Sequence, residues 1–133
     1  MSELRRLVGR TLDVLADEAP RWSAGAAEAL GERRVRVTLS GEVMGVLAGA
    51  GRLLLSAHTD DGLSVTISLA ELVALMDGAD LSESVLADRT RVSGRVPELL
   101  ALDDCTRAVV RGLLSAPSAP DIARQLRELT PPS

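Results

Sequence analysis

Residues 65–78 read VTISLAELVALMDG, and the hydrophobic rhythm changes in the middle of them. Val65 and Ile67 alternate with Ser64, Thr66 and Ser68, the period-two pattern of a strand with one buried face. From Leu69 the rhythm becomes helical. Leu72, Val73, Leu75 and Met76 form the apolar face and Gly78 is placed to stop it. Ser68 and Glu71 stand at capping-box spacing: the Ser hydroxyl accepts from the third helical amide, and the Glu carboxylate reaches back to the cap. A strand running straight into a capped helix is the centre from which the rest is read.

Upstream, Val35, Val37 and Leu39 alternate with Arg34, Arg36, Thr38 and Ser40. Ser40-Gly41 and Gly49-Ala50-Gly51 are turn signals, which divide this region into strands over 34–40, 43–48 and 52–58. Asp60-Asp61-Gly62 then turns into the strand that holds Val65. The four runs predict an antiparallel meander. Before them, Leu4, Leu7, Val8, Leu12 and Leu15 fall at helical spacing, and Pro20 opens a second helix that carries Trp22, Ala26, Ala27 and Leu30.

Downstream, a short helix is expected over 81–87, with Asp80 or Ser82 near its start, and a short strand over 90–96. Pro97 suits the first turn of a long helix lined by Leu99, Leu102, Val109 and Leu113. Ser115 to Pro120 links it to a final helix with Ile122, Leu126 and Leu129 on one stripe. Helices, clustered strands, helices, one strand and helices again predict an α+β fold, with helices packed on a mostly antiparallel sheet. One domain spans 1–133: N-terminal helices over 1–31, a core over 33–115, and a linker and C-terminal helix over 116–133.

Composition removes several functions. The net charge of −4 argues against nucleic acid, whose binding needs basic charge to neutralise phosphates. All 15 basic residues are Arg, so a Schiff-base mechanism, which needs a lysine amine, is excluded. Phe and Tyr are absent and Trp22 stands alone, so neither a base-stacking platform nor an aromatic cage can be built. The core must be aliphatic. Cys105 is the single cysteine and allows no internal disulfide. No apolar run approaches the ~18 residues of a transmembrane helix. The N-terminal pattern lacks a signal-peptide core and the C-terminus is not a peroxisomal address, so the expected location is cytoplasmic.

The stretch 65–78, followed by LADRTRVSGRVPELLAL at 86–102 and a long helix, resembles the sterol carrier protein type-2 family. Ile67, Ser68, Leu72, Leu75 and Gly78 fit the family's strand-to-helix motif, with Glu71 in its acidic position. Arg91, Val92, Ser93 and Gly94 fit a second motif. The chain departs at Asp88-Arg89-Thr90, where the family often has Gly-Arg or Gly-Lys, and at Arg95, where an acidic residue or Asn is common. The resemblance covers roughly residues 33–115. It implies about five strands with helices on one face and an apolar tunnel between them. Family members bind sterols, fatty acids, acyl-CoA or phospholipids, and the same fold occurs fused to acetyltransferases, sulfatases and mycothiol-dependent isomerases. Fold alone therefore leaves function open.

If a tunnel exists, its expected walls are Leu72, Val73, Leu75 and Met76 from one helix and Leu99, Leu102, Val109 and Leu113 from the other. Ile67 and Val92 would add to them from the sheet. The ligand would be a hydrophobic small molecule. Chemistry has few candidates. His58 is the only histidine, and with Asp60 it could form a proton-transferring pair; Asp104 is a third weak candidate. At a turn, His58, Asp60 and Asp61 read more simply as solvated residues, and Asp103 and Asp104 as a solvated helix face. Cys105 reads as buried and inert, because neighbouring carboxylates raise a thiol pKa rather than lower it. No metal-ligand spacing and no phosphate loop are present, and no cofactor is implied. A cyclase or isomerase of natural-product biosynthesis using the same cavity is the alternative. A third reading is an interaction module, whose terminal amphipathic helices pair with a second copy or a partner enzyme.

Overall fold

The computed structural model describes residues 3–56 and 62–129. Two helices lead, α1 (Glu3–Glu18) and α2 (Pro20–Leu30). Strands β1 (Arg34–Leu39), β2 (Glu42–Gly49), β3 (Arg52–Ser56) and β4 (Leu63–Ile67) follow. Then come α3 (Leu69–Met76), α4 (Leu81–Leu86), β5 (Thr90–Ser93), α5 (Val96–Ser115) and α6 (Ala119–Leu129). The fold is α+β.

β1, β2 and β3 are joined by two-residue turns. Ser40 and Gly41 have φ of 49° and 86°, and Ala50 and Gly51 have φ of 54° and 76°. Positive φ at both central residues matches the right-handed twist of a two-residue hairpin. The glycines take this conformation freely, and Ser40 uses it. Its hydroxyl accepts from the Leu69 amide at 3.1 Å, which ties the first hairpin to the start of α3.

The antiparallel meander expected over four strands ends after three. The sheet order is β3-β2-β1-β4-β5, and β4 lies parallel to β1, with Val35 opposite Leu63, Val37 opposite Val65 and Leu39 opposite Ile67. The other three pairings are antiparallel. Period-two alternation fixes which face a residue takes but carries no strand direction. Pairing with β1 sets the Val35-Val37-Leu39 row beside Leu63-Val65-Ile67 on one inner face. Val46, Leu55 and Val92 extend this face to its neighbours. The outer face carries Arg34, Leu54, Thr66 and Arg91, all exposed.

The capping box is half formed. Ser68 Oγ accepts from the Glu71 amide at 3.1 Å. The Glu71 carboxylate turns instead to α4 and β5, accepting from Ser84 Oγ at 2.9 Å and facing Arg89 Nε at 3.5 Å. Ser84 and Thr90 are buried and share a 2.6 Å hydroxyl–hydroxyl bond. A carboxylate and two hydroxyls thus lock α3, α4 and β5 together. On α4, Asp80 is the cap: its carboxylate accepts from the Ser82 amide at 2.9 Å. α5 begins at Val96, one residue before the predicted Pro97, and Glu98 Oε1 accepts from the Arg95 amide at 2.9 Å.

Buried apolar residues form two clusters. The larger lies between the inner sheet face and α2, α3 and α5. The smaller joins α1, α3, the end of α5 and α6 around Leu7, Leu15, Val73, Ile122 and Leu126. α2 lies closely along α5 near Gly112. A Cβ added there would stand 2.3 Å from Leu15 Cδ1 and 2.8 Å from Trp22 Cβ, so only glycine fits the crossing. No helix among the described residues is long and apolar enough to cross a membrane.

Candidate ligand cavity

An apolar cavity of about 180 Å³ lies between the sheet and the helices. Its floor is Val35 and Val37 of β1, Val46 of β2, Leu53 of β3, and Val65 and Ile67 of β4. Its roof comes from Leu72 and Leu75 of α3 and from Leu102, Cys105, Thr106 and Val109 of α5, and Leu12, Leu30 and Leu81 complete the lining. A second apolar lobe of about 130 Å³ continues under α1, where Val8, Thr11 and Leu12 meet Met76, Val110 and Leu113. Leu12, Leu72, Leu75, Thr106 and Val109 face both lobes.

The walls are inert. Each threonine hydroxyl donates to its own helix, Thr11 Oγ1 to the Leu7 carbonyl at 2.7 Å and Thr106 Oγ1 to the Leu102 carbonyl at 2.8 Å. The Cys105 thiol is pushed up to about 12 by burial, so it stays neutral and non-nucleophilic at any physiological pH. The interior therefore offers no charge and no strong unused donor among the described residues.

Outside, a groove of about 260 Å³ adjoins both lobes. One bank is the α3–α4 linker, Gly78 to Leu81; the other is α5, with Arg107, Val110, Arg111 and Leu114. Thr106 faces all three spaces. A wider groove of about 580 Å³ at Glu32, Arg33, Arg95 and Glu98 has walls of mixed charge and suits water better than an apolar guest.

Of the residues expected at a tunnel wall, seven line the two lobes: Ile67, Leu72, Leu75, Met76, Leu102, Val109 and Leu113. Val73 is instead sealed in the smaller cluster. Val92 sits on β5 beyond Val65, and Leu99 packs against the larger cluster. His58 and Asp60 lie outside the described residues. Asp104 is exposed on α5 and belongs to neither lobe. Its neighbour Asp103 pairs with Arg107 Nε at 3.1 Å and accepts from Ser82 Oγ at 3.3 Å. Trp22 on α2 is 39% exposed, with the Arg111 guanidinium 5.9 Å from its ring centre. Apart from Ile67, the residues of the sheet floor were not anticipated, nor was the contribution of α1. Alternation had already put Val35, Val37 and Leu39 on one face, but nothing in that pattern says whether the face is filled or open.

The sheet runs β3-β2-β1-β4-β5 with one parallel pair, and the helices layer on a single face of it. A ubiquinone synthesis protein, UbiJ-SCP2, superposes with a TM-score of 0.58 at 14% identity over 77% of this chain and 87% of its own. The chain has the sterol carrier protein 2 fold. Apo sterol carrier protein 2 from Yarrowia lipolytica superposes with a TM-score of 0.51 at 17% identity over 74% of this chain and 85% of its own. A conserved hypothetical protein from Thermus thermophilus gives 0.51 at 12% identity over 89% and 92%. No protein-family model and no curated protein matches the sequence. At these identities the sterol carrier protein 2 likeness is one of backbone and topology. The cavity walls have to be read from this chain's own residues.

Proposed function

We propose that this chain binds an apolar small molecule between its sheet and helices and acts as a carrier or presenting domain. The observation that carries this reading is the pair of adjoining lobes, walled by aliphatic side chains and sharing Thr106 with an outer groove that carries Arg107 and Arg111. Ligand sites are typically apolar hollows with a few polar groups at defined places. An apolar guest would gain roughly 25 cal/mol for each Å² of its surface removed from water. The fold shared with a sterol carrier protein supports lipid binding, and the likeness to a ubiquinone synthesis protein supports a role in handling a lipid intermediate.

Native mass spectrometry of protein purified from cells tests this, together with titration of fluorescent fatty acids. A co-purifying lipid, or saturable binding at micromolar concentration, is expected. Failure of fatty acids, acyl-CoA, sterols and polyketide-like compounds alike would sink the reading.

A further inference from the structure

The lobes and the outer groove divide the demands on a ligand. Inside, both threonine hydroxyl protons are committed to helix carbonyls, and the one thiol is neutral. A ligand's polar end placed there would lose its water without a replacement partner, which is strongly unfavourable for a charged group. That end must therefore remain in the groove. The strong donors on the groove's lining residues are the guanidinium groups of Arg107 and Arg111, one turn apart on α5; that of Arg111 rests 5.9 Å from the centre of the Trp22 ring, a contact that leaves its N–H groups for an anion. Its acidic member, Asp80, is engaged in capping α4, and Asp103 holds Ser82 as well as Arg107. Arg107 itself is exposed, and its i,i+4 pairing with the half-buried Asp103 leaves the guanidinium open to a ligand anion.

Shape adds a second restriction. Each lobe is smaller than the ~300–1,000 Å³ usual for drug-sized guests. The lobes meet along a wall shared by Leu72, Leu75 and Val109. A flexible chain can bend past that wall to use both spaces; a rigid fused-ring body cannot.

We propose that Arg107 and Arg111 are specificity-determining residues that select a single flexible hydrocarbon chain with an anionic end, a carboxylate or a phosphate monoester, over a neutral sterol. This rests on the carrier reading and adds the orientation: tail under α1 and α3, anionic end between the α3–α4 linker and α5. Charge-assisted bonds from guanidinium to an oxyanion are about twice as strong as neutral ones and can be bidentate, so a neutral hydroxyl gains much less at the same place.

The test measures dodecanoate, dodecyl phosphate, dodecanol and cholesterol by calorimetry, above the ordinary carboxylate pKa range. Wild type is compared with the Arg107→Gln/Arg111→Gln double variant. At least one of the two anionic chains should bind wild type about tenfold more tightly than dodecanol, a preference that added salt weakens. Comparing dodecanoate with dodecyl phosphate tells which anion is favoured. In the double variant the anionic preference should fall to about twofold or less, with dodecanol affinity falling much less than that of the anions and the melting temperature little changed, because both arginines are exposed. Equal binding of dodecanol and both anions to wild type would overturn the assignment, as would a preference that survives the double substitution or cholesterol binding tightest. If none of the four binds, the anionic-chain assignment is overturned; the carrier reading falls with it only when acyl-CoA and polyketide-like compounds fail as well, a result distinct from loss of selectivity.

Discussion

Ile122 and Leu126 on α6 are sealed at 0% and 1% exposure, whereas Val37, Val46, Leu72 and Val109 face inward yet stay only half-buried. The same aliphatic side chains have closed one core and left the other hollow. In the smaller cluster, Ala19, Ala116, Ala119 and Ala123 let helices approach until Leu7, Leu15 and Ile122 fill what remains. In the larger cluster the sheet floor is rigid, its rows set by strand register. The roof is held off by other contacts, α2 on α5 at Gly112 and the Glu71-Ser84-Thr90 lock. Short Val side chains on such a floor cannot reach a roof fixed elsewhere. Phe, which could span the gap, is absent from the chain. The hollow thus follows from composition and register together.

The sharpest way to break this contrast is truncation on its solid side. Ile122→Ala should lower stability by about 2–5 kcal/mol, since the packed helices relax only partly around the lost atoms. Val46→Ala, in a wall that already borders open space, should cost about 1 kcal/mol or less, because few partner atoms are lost. Chemical denaturation of both variants checks the difference. Equal losses would mean that the larger cluster is as tightly filled as the smaller one.

Much of this contrast was hidden in the sequence for physical reasons. Helix stripes such as Leu72-Leu75-Met76 and Ile122-Leu126 announce burial, and Ser40-Gly41 and Ala50-Gly51 announce turns, because these signals are local. The parallel pairing of β4 with β1 is not local, and alternation at Val65 and Ile67 is the same for either neighbour. Glu71 was legible as a cap partner from its spacing to Ser68. Its actual partner, Ser84, comes from a helix thirteen residues further on. Whether an inward Val touches a neighbour or faces a void depends on distances between elements, which no spacing within one element encodes.

Cys105 gives a second measurement on the hollow side, of intermediate size. Burial holds its folded pKa near 12, above the unfolded value of about 9. Below pH 9 both states hold the proton, so the thiol adds no pH dependence there. Between about pH 9 and 12 the unfolded chain loses the proton and the folded chain does not, so stability falls as pH rises. The slope should approach roughly 1.4 kcal/mol per pH unit. Denaturation series for wild type and Cys105→Ala should diverge from about pH 9, with the variant flatter. Parallel curves would place the thiol in contact with water and so open the lobe beside Cys105 to solvent.

The smallest effect on stability is expected where the effect on binding is greatest. Val109 faces both lobes and is only half-buried. In a close-packed core, enlarging it to Phe would force neighbours off their rotamers and typically lose 1–3 kcal/mol. Here the added ring can enter existing space and gain apolar contacts there, so Val109→Phe should change the melting temperature by no more than about 2 °C. Met76→Trp and Leu102→Trp probe the same space from its two ends, although each must also find a partner for the indole N–H. A bound chain would lose the passage between lobes, and its affinity should fall by about tenfold or more, a change of about 1.4 kcal/mol. Melting curves and fatty-acid titration on one protein sample separate the two quantities. Lost stability with unchanged affinity would make Val109 packed core and leave the hollow without a ligand role. Lost affinity with unchanged stability is the pattern that a filled interior cannot produce.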